Sequence, residues 1–522
     1  MDLANGLAEW AQKHSLTLLL TAAALTTYLL HHLYVTLRHH RPIPSVPMVT
    51  VRDLSPLDSW SRFGEEVLAK GFEDYRGSPF QIMTGTGPKI VFSSAYASEV
   101  AKIPEFSLLS YVKPDLFTDY AGFEGIRFSF QSKNERKLPD MIRLRLTSAL
   151  ASFTHDLVEE AQVAIHDAFG ENPEWQSSEF KRGAVRVIAQ MASRVLWGKS
   201  LCRNEDWLSI AENYAIDAFY ASQDLRAMDS ITRPLRSWFS KSCRRLRREY
   251  KEAKGILARE LTRRQAVSGL PKPSTDVVPQ NARGDSISWL LEASNGTIGT
   301  NMLVDAQLAM AVSAVAPTSE TMSQALRHLC EHPQYIEPLR KEAREILGRF
   351  GWTRVALYKM KLMDSFLKES MRFCRGRQGI GRIAMDDLMF ADGTLVRKGT
   401  RIIVGGKFWD VDTYGANVLD FDAYRFVNKR NEPGQADVWQ FAAVSPEFMG
   451  FGLGEHACPG RFFASNVIKI ALALMVLNYD WDFEQGTDFQ PSEAENIKFI
   501  DVKSRLRHRR RKEEACVGSM VA

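Results

Sequence analysis

The chain has 522 residues, 45% hydrophobic and 25% charged, and a net charge of +5. That composition belongs to a folded globular protein and excludes a disordered chain. The charge excess is modest and no recognition motif accompanies it, which argues against nucleic-acid binding.

Residues 15–37 (SLTLLLTAAALTTYLLHHLYVTL) are largely apolar and carry no fully ionised side chain. A bilayer core needs about 20 such residues. Arg38, His39, His40 and Arg41 follow, whereas Asp2, Glu9 and Lys13 precede. The positive-inside bias then puts the bulk of the chain in the cytosol. A cleaved signal peptide is the alternative, but the run is long for one and basic residues stand where a cleavage site would. The expected order is a lumenal N-terminus over 1–14, an anchor helix over 15–37, a basic, proline-rich stalk over 38–50, one cytosolic domain over 51–504, and a basic, solvated tail over 505–522.

Within the domain, residues 51–93 mix short apolar runs with glycine and proline and read as strands and turns. From about Pro139 to Met363 apolar residues recur at three- and four-residue spacing, which predicts helices. Residues 301–332 read as one long buried helix, apolar around much of its circumference. Another helix is expected at 363–373, strands near 394–396 and 400–404, and a last apolar helix at 462–478. The fold class is therefore mostly α with a minor β-sheet part. The six cysteines (Cys202, Cys243, Cys330, Cys374, Cys458 and Cys516) are scattered with no C-x-x-C pair. This argues against a disulfide framework and a structural zinc site, and suits a reducing compartment.

One of them, Cys458, sits in Phe451-Gly-Leu-Gly-Glu-His-Ala-Cys458-Pro-Gly-Arg461, just before the last helix. Glycines let backbone approach a flat ligand, and a helix start favours negative charge such as a thiolate. A buried, inert cysteine in a turn is the plainer reading. Phe451, Gly454, Cys458 and Gly460 fit F-x-x-G-x-x-x-C-x-G, which resembles the haem-binding loop of the cytochrome P-450 family. The continuation Pro459–Lys469 most resembles fungal members from secondary metabolism. Glu369-Ser-Met-Arg372 matches the family's E-x-x-R, and Phe421-Asp-Ala-Tyr-Arg425-Phe resembles the segment that completes its triad.

The resemblance implies a P-450-like fold behind the anchor and a haem b whose iron takes Cys458 as axial ligand. Phe451 would pack beside the cysteine, and His456, Arg143 and Arg382 would hold the propionates. Glu369, Arg372 and Arg425 would form a buried, charge-compensated knot behind the haem. Plainer readings stand beside these: an acid three residues before a base is an ordinary helix-surface pair, Arg143 and Arg382 suit surface salt bridges, and His456 suits a solvent-facing loop. The aromatic or histidine partner expected one turn before Arg143 is missing, since Leu138-Pro139-Asp140 stand there.

The long helix departs from the family pattern A-G/A-x-acid-Thr-Thr. The register set by Ser323–Leu326 aligns it with Ser313-Ala-Val-Ala316-Pro317-Thr318, so Ala316 replaces the acid and Pro317 the alcohol. Proline still breaks the helix, because it withholds the N–H that would bond Ser313. Protons could then arrive through Thr318, Ser313 and water, or from a substrate hydroxyl, or the reaction could need no conventional oxygen activation. A four-residue shift would offer Glu320-Thr321 but needs a gap.

The function these features imply is a haem-thiolate monooxygenase at the endoplasmic reticulum membrane. It would draw electrons from NADPH through a flavoprotein reductase and oxidise a lipophilic secondary metabolite, a terpenoid or indole-diterpene first among the candidates. Its partners would be that reductase, the small-molecule substrate and membrane lipid. The alternatives are a haem-thiolate isomerase or cyclase, and a non-enzymatic haem-binding protein.

Overall fold

The computed structural model describes residue 17, residues 19–28, residue 30, and residues 41–130, 136–228, 231–268, 284–295, 298–374, 376–484 and 492–512. Helices dominate. Thr147–Phe169, Phe180–Leu196 and Arg461–Asn478 pack on one another. The last is apolar on nearly every face, and every residue from Val467 to Val476 is buried, as its sequence requires of a helix surrounded by others.

The long helix expected over 301–332 is broken, as Pro317 predicts, into Thr300–Ala314 and Ala316–Glu331, meeting at Val315. Pro317 is the cause: it cannot donate to the carbonyl of Ser313, and its ring crowds the preceding turn. Other helices enclose the pair. Glu124–Ser129, Glu205–Ala227 and Lys241–Ser268 pack on the first half, and Phe180–Leu196, Lys361–Cys374 and Arg461–Asn478 on the second. The pair and the last helix are long and apolar enough to cross a membrane, but both are mostly buried within the fold.

A five-stranded sheet flanks the helices in the order Phe80–Thr84, Gly87–Phe92, Arg401–Gly405, Gln378–Ala384, Phe106–Ser107. Within it, only the contact of Gly87–Phe92 with Arg401–Gly405 is parallel. Phe92, Phe106, Ile380, Ile402 and Val404 form a second core on this sheet.

The basic C-terminal run is not a solvated tail. Leu506–Arg510 is the middle strand of a three-stranded sheet, between Gln176–Ser178 and Tyr479–Phe483. Its side chains alternate: Leu506 and His508 are buried, while Arg507 and Arg509 reach Asp482 and Asp480. Both guanidiniums also lie over Trp175, at 5.0 and 4.8 Å. Period-two burial is the signature of a strand, hidden here by charges whose partners lie some 25 to 29 residues away.

Of the expected anchor, Thr17, Leu19–Tyr28 and Leu30 are described, as helix with exposed apolar side chains. The rest of 15–37, all of 1–14, residues 38–40 of the stalk and residues 513–522 lie outside the described residues.

Candidate active site

The Cys458 loop closes on itself. The Cys458 amide donates to the Phe451 carbonyl at 2.8 Å. Gly452 and Gly454 adopt φ of +79° and +68°, a region side chains disfavour. A Cβ at Gly454 would lie 2.6 Å from the Ala101 carbonyl, so the loop also needs glycine for close approach. The Phe451 ring meets Phe441 edge-on at 5.3 Å. Helix Arg461–Asn478 starts three residues after Cys458, with Gly460 at its N-cap, and its N-terminal dipole favours a thiolate nearby. A Cβ built at Gly460 meets no atom within 4 Å, so this flank of the loop borders open space.

Basic side chains gather around the loop. Arg143 donates to the Glu455 carbonyl at 2.9 Å, and Arg461 to the Cys458 carbonyl at 2.9 Å. Arg382 lies on strand Gln378–Ala384, 2% exposed. Its Nη1 donates to the carbonyl of Gly381, and its Nε has no partner among the described residues. Burial pushes its pKa down to about 10. Burial also lowers the pKa of His456, with Arg382 and then Arg143 adding to the effect against Glu455. Arg461 is lowered by burial and by Arg143, against the opposing pull of Cys458. The Glu455 carboxylate is itself turned to Arg136 at 2.7 Å.

A buried guanidinium with an orphaned N–H is costly unless an anion meets it. These residues therefore fit an anionic group entering the open flank, and the thiol fits a metal at its centre. Haem b, with one iron and two propionates, satisfies both demands.

Behind the loop, Glu369, Arg372 and Arg425 come together, all buried. Arg372 grips Glu369 with two parallel bonds of 2.8 Å, and Arg425 Nε donates to Glu369 Oε1 at 3.0 Å. The remaining donors go to carbonyls, Arg372 to Phe408 at 2.8 Å and Arg425 to Asn417 and Asp420 at 2.9 Å each. The Asp422 amide completes the carboxylate at 3.1 Å. Such bidentate pairing is what lets buried charges persist.

On the split helix the three sequence candidates part company. Ser313 and Pro317, one turn apart, are exposed although their helices are enclosed, whereas Thr318 is buried at 6%. Glu320, the acid of the shifted register, is committed to Lys181, to the Ile500 amide at 3.1 Å and to Gln324 at 2.9 Å. Arg461 has no role assigned from sequence, although it stands inside the motif. Phe441, Asn417 and the Phe408 carbonyl carry no local signal, because they act through contacts made only in the fold.

A cysteine in a glycine loop, with arginines bonded to that loop and a broken helix in the same fold, fits a haem-thiolate protein. The sequence profile of that class, Cytochrome P-450, matches residues 66–508, and the chain belongs to this family. It is 35% identical over 98% of its length to cytochrome P-450 monooxygenase bsc2 of Alternaria brassicicola, covering 99% of that protein. It is 34% identical to cytochrome P-450 monooxygenase hepE of Aspergillus oryzae, over 87% of this chain and 82% of that one. To cytochrome P-450 monooxygenase pyr3 of Aspergillus fumigatus it is 35% identical, over 86% and 85%. The chain is thus a monooxygenase with haem b as cofactor, supplied with electrons by a redox partner.

Proposed function

We propose that the chain oxidises a lipophilic secondary metabolite, a terpenoid or indole-diterpene first, while tethered to the endoplasmic reticulum membrane. The observation that carries the haem-thiolate part is the Cys458 loop with the buried Arg382 guanidinium near its His456, the Arg382 Nε having no partner among the described residues. Cys458 would hold the haem iron through its thiolate, Phe451 would pack beside it, and His456, Arg143 and Arg382 would hold the propionates. Glu369, Arg372 and Arg425 hold the chain behind the loop in one geometry. Bound haem supplies the redox-active iron at which dioxygen is reduced, and a thiolate ligand favours O–O cleavage. Ser313, Pro317 and Thr318 shape the opposite side, where substrate and protons must meet. The catalytic unit extends from about residue 51 through the strand ending at Arg510.

A membrane tether is supported by the exposed apolar helix Leu19–Tyr28. It is also supported by Arg233–Phe239, where Leu235, Trp238 and Phe239 are 57–73% exposed beside Arg236 and Lys241. Aromatic and basic residues side by side suit the lipid interface. An NADPH-dependent flavoprotein reductase on the same membrane is the electron donor of this reading.

Expression in a host that supplies such a reductase, under isotope-labelled dioxygen with untargeted product profiling, tests it. A labelled, oxidised terpenoid supports the reading. Ala316 and Pro317 motivate a second one, an isomerase or cyclase, whose product carries no label.

A further inference from the structure

Helix Lys361–Cys374 buries a second pair of charges beside Glu369 and Arg372. Asp364 and Lys368 are both buried, and their four-residue spacing puts them on one face of the helix. Asp364 accepts from Arg430 at 3.1 Å and pairs with Lys469. Two cations thus answer its charge before Lys368 is counted. Lys368 is held differently. Its ammonium donates to the Gln440 carbonyl at 2.9 Å and to the Ala443 carbonyl at 3.5 Å, and it lies 3.7 Å from the centre of the Phe448 ring. Burial pushes its pKa down to about 7 against the pull of Asp364, and Arg430 adds to the fall. A buried cation so disfavoured contributes little to net stability. What it does contribute is a direction.

The Gln440 carbonyl and the Phe441 N–H belong to one peptide unit. Lys368 donates to the first, and the second donates to Asp364 at 2.8 Å. An acid and a base one turn apart therefore grip both polar ends of a single peptide, each with a charge-assisted bond. The ring carried by that peptide, Phe441, is fully buried and meets Phe451 edge-on at 5.3 Å. Edge-to-face packing depends on the tilt of the rings. Phe451 in turn accepts from the Cys458 amide at 2.8 Å. One line of contacts thus runs from the helix through a peptide and two rings to the cysteine.

We infer that Asp364 and Lys368 are positioning residues for the haem ligand: by clamping the Gln440–Phe441 peptide they set the Phe441 ring against Phe451, and so hold the loop that presents Cys458. The inference rests on the reading of Cys458 as the ligand to haem iron. Both residues act through Phe441. The helix then has two separate tasks, since Glu369 and Arg372 neutralise buried charge whereas Asp364 and Lys368 aim a ring. Asp364 also compensates Arg430 and Lys469, so Lys368 is the member that can be removed without stranding a charge.

The test compares Lys368→Met, Lys368→Gln, Phe441→Leu and Lys368→Met/Phe441→Leu holoenzymes with wild type. Two quantities are read: the urea midpoint of unfolding by circular dichroism, and the rate at which the red-shifted CO band gives way to that of haem without its thiolate, in urea too dilute to unfold the chain. Lys368→Met should keep the wild-type midpoint and lose the band about tenfold faster, as expected for one hydrogen bond to a charged group. Lys368→Gln retains an N–H donor for the Gln440 carbonyl and should stay closer to the wild-type rate. Phe441→Leu should also lose the band faster. The double variant should be no faster than the quicker single variant, because both act on one ring. A wild-type rate in Lys368→Met, an equal rate in Lys368→Gln and Lys368→Met, or rates that multiply in the double variant overturns the inference. So does a Lys368→Met chain that unfolds at lower urea or fails to fold, since the lysine would then serve stability. Absence of the red-shifted band from wild type would instead overturn the reading of Cys458.

Discussion

The two sides of the Cys458 loop are built on opposite terms. Behind it, the charges of the triad close on one another: Glu369 serves Arg372, Arg425 and an amide at once, and spare guanidinium donors end on carbonyls. In front of it, groups are left open. Arg382 Nε has no partner among the described residues, and Gly460 borders empty space. Closed charge networks hold one geometry, whereas open polar groups mark where a ligand or water belongs. The molecule is thus rigid where the cysteine must be held and unfinished where chemistry must happen.

Removing Glu369 should break the closed side most. Glu369→Ala leaves two buried guanidiniums uncompensated, at a cost of about 3–5 kcal/mol. We expect little folded protein to accumulate, and a urea midpoint near that of wild type would contradict the account.

On the open side the sign should reverse. Arg382→Met removes a buried cation that lacks a carboxylate partner among the described residues, so the haem-free chain should be no less stable. Its hold on haem should weaken by about 1.5–3 kcal/mol, the worth of hydrogen bonds to a charged group. Haem transfer to an apo-globin acceptor measures this, and unchanged retention would remove Arg382 from the site.

Acid should sharpen the contrast. His328 is fully buried beside the closed side, bonded to Ser370 at 2.8 Å and next to Arg327. Burial, then Arg327, hold its pKa well below the usual 6.5, so it is neutral in the fold. The unfolded state binds the extra proton first. Stability is therefore complete above pH 6.5 and falls as pH drops below it toward the folded value. His328→Gln should remove its share of that slope, read as urea midpoints across the acid range. An unchanged slope would contradict it.

The smallest effect is expected from Pro317→Thr, which gives Ser313 back its N–H and adds a hydroxyl. Folding and the CO band should persist while product per NADPH changes. An unchanged yield would mean that Pro317 has no part in proton delivery.

What could be read from the sequence follows the range of the interactions. The Cys458 loop was legible because its glycines answer to local backbone geometry. Glu369 and Arg372 were legible as a three-residue helical pair, but the carbonyls that finish the triad come from Phe408, Asn417 and Asp420. The break at Val315 follows from Pro317, yet the burial of Thr318 depends on which helices enclose the second half. Leu506–Arg510 reads as a tail because its alternation is masked by arginines whose partners, Asp480 and Asp482, are on another strand.

Cys458 as a thiolate ligand to haem iron is the central claim, and the CO-difference spectrum of the reduced protein tests it most directly. Wild type should give the red-shifted Soret band of a thiolate-ligated haem, and Cys458→Ala should lose it. A wild-type protein without that band, or a variant that keeps it, would contradict the assignment.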